Sequence, residues 1–213
     1  VFYIKNYLFI LLSSGKIMAI FKGGILMSNI IKSRQQGNLI VVSGPSGAGK
    51  GTIIGKLFEC YDNLWLSISM TSRAIRSNDV PGETYFFVSR EEFEKRIEAG
   101  EFLEYAIYNG NYYGTPRDKI NEQLALGKDV ILEIEIQGAL KVKELVPDAI
   151  FIFILPPSMR ELRRRLVTRG TDSMEKILDR FQTAYKEINE VTKYNYVVIN
   201  DDLDKAVEKV KAI

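Results

Sequence analysis

The sequence predicts an α/β architecture, a parallel sheet covered by helices on both faces, and three observations predict it. Four short apolar runs have the β-branched and aromatic character of buried parallel strands: LIVVS at Leu39–Ser43, VILEIEI at 130–136, AIFIFIL at 149–155 and YVVIN at 196–200. Helical patterns at residues 119–126, 160–168, 174–192 and 203–212 lie between or after them, and such alternation implies parallel strands joined by crossover helices. The third observation is the glycine-rich turn GPSGAGKGT, which follows the first strand and opens a helix.

Composition narrows the class. The 213 residues are 46% hydrophobic, enough for one compact domain carrying inserted subdomains. The net charge of +2 comes without a long basic run, which gives nucleic-acid binding no support. A single cysteine, Cys60, permits no internal disulfide and suits a cytoplasmic setting; on an apolar helix face it reads as a small core residue. Histidine is absent, which removes every histidine-dependent mechanism and most zinc sites.

Residues 1–36 read as an extension outside the fold. Their apolar stretch YLFILL is interrupted on both sides by Lys5, Lys16 and Lys22 and falls short of the roughly 20 residues that span a bilayer. A start at Met27 would make residues 1–26 an upstream extension with no role in function, and a short signal peptide is the alternative reading. The remainder divides into core segments 37–68, 119–155 and 181–213, an insertion at 69–118 and an arginine-dense insertion at 156–180 opened by Pro156 and Pro157. The first insertion breaks the strand–helix rhythm with tyrosines, arginines, glycines and a β-like piece, TYFFV, at 84–88.

Each element then carries its own chemistry. Gly44, Pro45, Ser46, Gly47, Ala48, Gly49, Lys50, Gly51 and Thr52 match a phosphate-binding loop, in which glycines let backbone N–H groups point at phosphate and the lysine adds a point charge. The following helix should bury Ile53, Ile54, Leu57, Phe58 and Tyr61. The usual loop has a hydroxyl directly after the lysine to meet Mg²⁺, whereas here Gly51 intervenes and the hydroxyl arrives at Thr52. The metal must therefore rely mainly on phosphates and water, with Thr52 in reach. Glu133 and Glu135 are two apart near the end of VILEIEI, so they share one strand face, where open α/β sheets bind ligands. The GKGT spelling alone points to an adenylate-type kinase.

The first insertion argues for another acceptor. It reads SMTSRAIRSNDVPGETYFF from Ser69, then FLE ending at Glu104, then GNYYGT ending at Thr115. From about Gly37 to the end, with motifs in the same order and spacing, the chain resembles the guanylate kinases, which phosphorylate GMP with ATP. The resemblance implies a P-loop NTPase-type sheet, a mixed α+β GMP-binding subdomain at 69–118 and a short helical lid at 156–180. It implies a role in purine nucleotide metabolism, with Mg²⁺ as cofactor, ATP and GMP as partners (dGMP left open), and no nucleic acid or membrane.

The resemblance also assigns roles. Arg73, Arg76, Tyr85 and Tyr113 grip the GMP phosphate, as guanidinium forks suit a dianion. Asp79 stands where the family generally has glutamate. Ser69, Glu104 and Thr115 read the base: a carboxylate accepts from guanine N1–H and the exocyclic amine, while a hydroxyl donates to O6. Glu135 approaches the guanine or the transfer centre and Glu133 orders water around Mg²⁺, both replacing the family's usual aspartates. Arg165, Arg169 and Arg180 are the lid and hinge arginines that, with Lys50 and Arg73, carry catalysis; Arg160, Arg163 and Arg164 form a solvated face. Asn200 and Asp201 lie near adenine. A non-catalytic guanylate-kinase-like module is the rival from another class, opposed by the intact Lys50, loop glycines and lid arginines.

Overall fold

The computed structural model describes residues 2–4, 7–11, 17–21, 24–28, 36–76, 79–108, 110–168 and 174–213. The chain divides into two compact units, Val1–Gln36 and Gly37–Ile213. In the first, strands β1 (Phe2–Ile4), β2 (Tyr7–Leu11), β3 (Ile17–Phe21) and β4 (Gly24–Ser28) pair antiparallel in sequence order.

The second unit opens with β5 (Leu39–Ser43) and α1 (Lys50–Phe58), then β6 (Leu64–Leu66). The insertion supplies β7 (Met70–Thr71), β8 (Phe86–Phe87), α2 (Arg90–Glu98), β9 (Phe102–Tyr108) and β10 (Asn111–Pro116). The core resumes with α3 (Arg117–Ala125), β11 (Asp129–Glu133), α4 (Ile136–Leu145) and β12 (Ile150–Leu155). Helices α5 (Met159–Thr168) and α6 (Met174–Ile188), a 3-10 turn at Asn189–Lys193, β13 (Tyr196–Ile199) and α7 (Leu203–Lys211) complete it.

The core sheet is fully parallel in the order β6-β11-β5-β12-β13. Successive side chains point to opposite faces. Leu39, Val41, Val130, Leu132, Phe151 and Phe153 pack with α3 and α4, while Val42, Ile131, Ile152 and Ile154 pack with α1 and α7. From β5 the chain moves outward to β6, returns to β11, then crosses β5 to reach β12 and β13. Connections thus leave β5 and β12 in opposite directions and open a crevice at their carboxyl ends.

The insertion folds as a mixed sheet, β8-β7-β10-β9, with β7 and β8 parallel and the other pairs antiparallel. Its small core is Met70, Phe93 and Phe102, where Phe93 stacks on Phe102 at 4.4 Å and on Tyr112 at 5.0 Å between ring centroids. Ser89 caps α2 by accepting from the Glu92 N–H at 3.1 Å. Leu162, Leu166, Ile177 and Ala184 hold α5 to α6. Among the described residues no helix is long and apolar enough to cross a membrane.

Several expected boundaries move. The strand expected over 130–136 stops at Glu133, because Ile136, Ala139 and Val142 recur at helical spacing and are buried as α4. Glu135 therefore stands at the N-cap position of α4, its side chain making no capping bond, instead of sharing a strand face with Glu133. Helix α1 ends at Phe58, where the Cys60 and Tyr61 N–H groups fold back onto the Leu57 carbonyl at 3.0 Å each. Phe58, Cys60 and Tyr61 are consequently exposed, contrary to their expected burial. The elements β6, α2 and α4 escaped the sequence reading, and the strand in TYFFV shrinks to Phe86–Phe87.

Candidate functional site

The phosphate loop leaves β5 at the crevice. Gly44 has φ 144°, and a Cβ there would meet the Ile154 carbonyl oxygen at 2.2 Å, so only glycine lets the loop pass over β12. Gly49, at φ 95°, begins α1 in the left-handed region, and a Cβ would stand 2.3 Å from Asn200 Nδ2. Gly49 gives α1 no side-chain cap and the first turn holds no acid, so the positive dipole end of the helix suits an anion. Lys50 Nζ donates to the Gly44 carbonyl at 2.7 Å and the Pro45 carbonyl at 3.4 Å, folding the ammonium along the loop. A Cβ on Gly51 would lie 3.6 Å from Glu133 Oε2, so the Glu133 carboxylate faces the position of the missing hydroxyl.

A cavity of about 290 Å³ opens beside the loop, lined by Gly47, Gly49, Thr52, Arg165, Asn200, Asp201 and Leu203. Arg165 closes one wall. Its Nε donates to Glu161 Oε1 at 2.8 Å, Nη1 to the Ala48 carbonyl at 3.3 Å and Nη2 to the Asn200 carbonyl at 3.0 Å. Asn200, buried, donates from Nδ2 to the same Ala48 carbonyl at 2.8 Å. Arg164 and Arg165 hold the Glu161 carboxyl down at about 2, so it stays ionised and keeps Arg165 in place. Arg180 Nη1 reaches Ser46 Oγ at 3.4 Å. Arg160, Arg163 and Arg164 are exposed, and Arg169 lies outside the described residues.

In the inserted subdomain, Arg73 is buried and paired with Asp79, whose Oδ2 and Oδ1 accept from Nη1 and Nη2 at 2.8 and 3.1 Å. Asp79 Oδ2 also accepts from the Arg76 N–H at 2.6 Å, and these bonds hold its carboxyl below the usual range. The guanidinium carbon of Arg73 sits 5.3 Å from the centre of the Tyr85 ring and 5.4 Å from that of Phe87. Tyr85 meets Tyr113 edge-on at 5.9 Å. Arg76 is exposed, so the two arginines differ: one is clamped within the subdomain and one points to solvent. Ser69 is half-buried between β6 and β7.

Glu104 and Thr115 are cross-strand partners on β9 and β10, both buried. Thr115 Oγ1 donates to Glu104 Oε1 at 2.6 Å, so its single proton faces the carboxylate instead of a base O6. Burial pushes the Glu104 carboxyl up, and the Thr115 bond and the Lys141 charge pull it back.

Glu187 on α6 was not anticipated. Burial, then the Glu135 carboxylate, push its carboxyl up to about 7 against the pull of Lys50. The same Glu135 and, more weakly, Glu133 raise Tyr85 after burial and Tyr113, which ties the strand end electrostatically to the inserted subdomain. The available signal was position, since Glu187 follows Arg180 by two helical turns and so shares its face. Leu203, an apolar wall of the cavity, was also missed. Among the described residues no cluster of three or more acidic, cysteine or histidine side chains could hold a metal alone.

A family model described as guanylate kinase matches residues 36–213, the span of the second compact unit together with Gln36. The chain belongs to the guanylate kinase family. Among curated relatives, the guanylate kinase of Caldanaerobacter subterraneus subsp. tengcongensis is 59% identical over 180 residues, covering 84% of this chain and 87% of that protein. That of Clostridium perfringens is 54% identical over 187 residues, with 88% and 87% covered. The crystal structure of guanylate kinase from Anaplasma phagocytophilum superposes with a TM-score of 0.69 at 34% identity, covering 84% of this chain and 85% of that one. The guanylate kinase fold thus accounts for the parallel sheet and the second, mixed sheet together.

Proposed function

We propose that this guanylate kinase transfers the γ-phosphoryl of ATP in line to GMP, giving ADP and GDP, with the acceptor chosen in the inserted sheet and the donor held at the phosphate loop. The observation that carries the acceptor assignment is the buried Glu104–Thr115 pair, a carboxylate positioned at 2.6 Å by a hydroxyl on the neighbouring strand. Guanine presents N1–H and an amine side by side to such a carboxylate. Adenine has no N1–H, and a mismatched base leaves the buried charge unpaired. Thr115 acts first by orienting Glu104, and Ser69 stands beside the base. Arg73, Arg76, Tyr85 and Tyr113 take the acceptor phosphate, with Asp79 holding Arg73 at the right angle.

The loop 44–52 takes the donor phosphates through its backbone N–H groups, apart from Pro45, which has none, and Lys50 leaves its loop carbonyls to meet them. Asn200, Asp201 and Leu203 flank the nucleoside end of the donor. Arg165, Arg180 and the lid arginine Arg169 meet the charge of the transferring group and exclude water as the lid closes. The acceptor needs no general base: a nucleotide phosphate has its second pKa near 6 and is already largely dianionic at neutral pH. Catalysis is therefore alignment and charge neutralisation, which suits a chain without histidine.

The residues fit a Mg²⁺ carried with the donor. Thr52 lines the cavity, and the Glu133 carboxylate faces Gly51 where the usual hydroxyl would stand, giving hard oxygen donors on one side. Bound Mg²⁺ supplies charge neutralisation for the phosphates. Glu133 and Thr52 would hold its water shell, and Glu135 would stand between the transfer centre and the guanine side. Coupled ADP release measured with GMP, AMP, CMP and UMP tests the reading, with GMP expected to dominate. Turnover of AMP without GMP would overturn it.

A further inference from the structure

The second residue pair that sets the base carboxylate is not a hydrogen bond but an absence. Gly138 sits in the first turn of α4, with ordinary helical φ, so no backbone strain calls for glycine there. Glycine in a helix costs about 1 kcal/mol relative to alanine. The reason for it is spatial. A Cβ at position 138 would lie 2.6 Å from Glu104 Oε2, 3.0 Å from its Cδ and 3.5 Å from Oε1. Among the described residues, and apart from its chain neighbours and its own helix backbone, these are the three nearest atoms to that point. The carboxylate is clamped between the Thr115 hydroxyl on one side and the bare Cα of α4 on the other.

We infer that Gly138 is a positioning residue for guanine recognition: its missing side chain admits the Glu104 carboxylate against α4 and fixes where the base is read. This rests on the assignment of Glu104 to the base. It goes further by placing a specificity determinant on a core helix outside the inserted sheet. Position 138 is closely packed on its helix, whereas the Glu104 carboxylate is the far end of a flexible side chain, so an added methyl displaces the carboxylate. Relieving a 2.6 Å approach to ordinary contact moves it by about 1 Å, which spoils its hydrogen bonds to the base, and losing a hydrogen bond to a charged group costs roughly 10- to 10²-fold in affinity.

The test is Gly138→Ala, read by steady-state kinetics and thermal melting. KM for GMP should rise by on the order of 10²-fold, with KM for ATP within about twofold, while Tm registers only the balance between alanine's better helix propensity and the displaced buried carboxylate. The preference for GMP over IMP, which lacks the exocyclic amine, should shrink, as a general lesion would not make it do. Glu104→Asp shortens the side chain by one methylene and makes room, so Gly138→Ala in that background should carry little further penalty. Should Gly138→Ala alone not fold, a folded double variant supports the inference, and failure of both overturns it. If Glu104→Gln weakens GMP while Gly138→Ala leaves it unchanged, the role of Gly138 falls and that of Glu104 stands. If Glu104→Gln leaves GMP binding intact, the base assignment itself falls.

Discussion

Replacing Glu133 by glutamine should raise the Mg²⁺ concentration needed for half-maximal activity about five- to tenfold, leaving KM for GMP unchanged. The carboxylate is exposed, and its Oε2 lies 3.6 Å from where a side chain on Gly51 would begin. A carboxylate one water away from a divalent cation, about 5 Å, attracts it by roughly 1.7 kcal/mol at the dielectric of water. That equals about fifteenfold in affinity before salt, with a Debye length of about 8 Å, trims it. The assay is a Mg²⁺ titration of coupled ADP release, paired with Mn²⁺ binding to the complex with a non-hydrolysable ATP analogue by electron paramagnetic resonance. Gly51→Ser should restore most of the loss in the Glu133→Gln background and change the native enzyme little, because hydroxyl and carboxylate address the same volume. An unchanged metal requirement in Glu133→Gln would refute the idea that the glutamate stands in for the missing hydroxyl.

Three further outcomes are expected. Lys50→Ala should lower kcat by at least about 10²-fold while GMP still binds, measured by calorimetry; lost GMP affinity would contradict a donor-side role. Asp79→Asn should cut kcat/KM for GMP on the order of 10²-fold with KM for ATP unmoved, since both Asp79 oxygens position Arg73; equal losses for both substrates argue against it. Glu187 gives a pH signature. Its carboxyl rises from 4.5 to about 7 on folding, so the native state holds the proton longer, and stability is intact below pH 4.5 but lost as pH climbs through about 7. Glu187→Gln should therefore raise Tm near pH 8 and not near pH 4.5, and a pH-independent difference would disprove the assignment.

Much of this was legible because it is local. The strand, glycine turn and helix around GPSGAGKGT announce a phosphate site through residue type and spacing alone, and Arg73, Glu104 and Thr115 stand in motifs that resemble a known family. The misreadings arise where two periodicities compete. VILEIEI alternates like a strand, yet Ile136 begins the spacing that α4 buries, and Glu135 goes with the helix. Cys60 and Tyr61 continue an apolar stripe, but the chain turns back on Leu57 before they can use it.

By itself, then, the sequence determined the parallel-sheet class and the family, since these depend on local residue patterns and on their order along the chain. Only the tertiary structure decided which groups meet across long separations. It put Glu133 against Gly51, Asn200 and Arg165 on the Ala48 carbonyl, and the Glu104 carboxylate against the bare Cα of Gly138. Contacts of this kind depend on where the sheet crossovers deliver each element, and the spacing of residues along one segment holds no record of them.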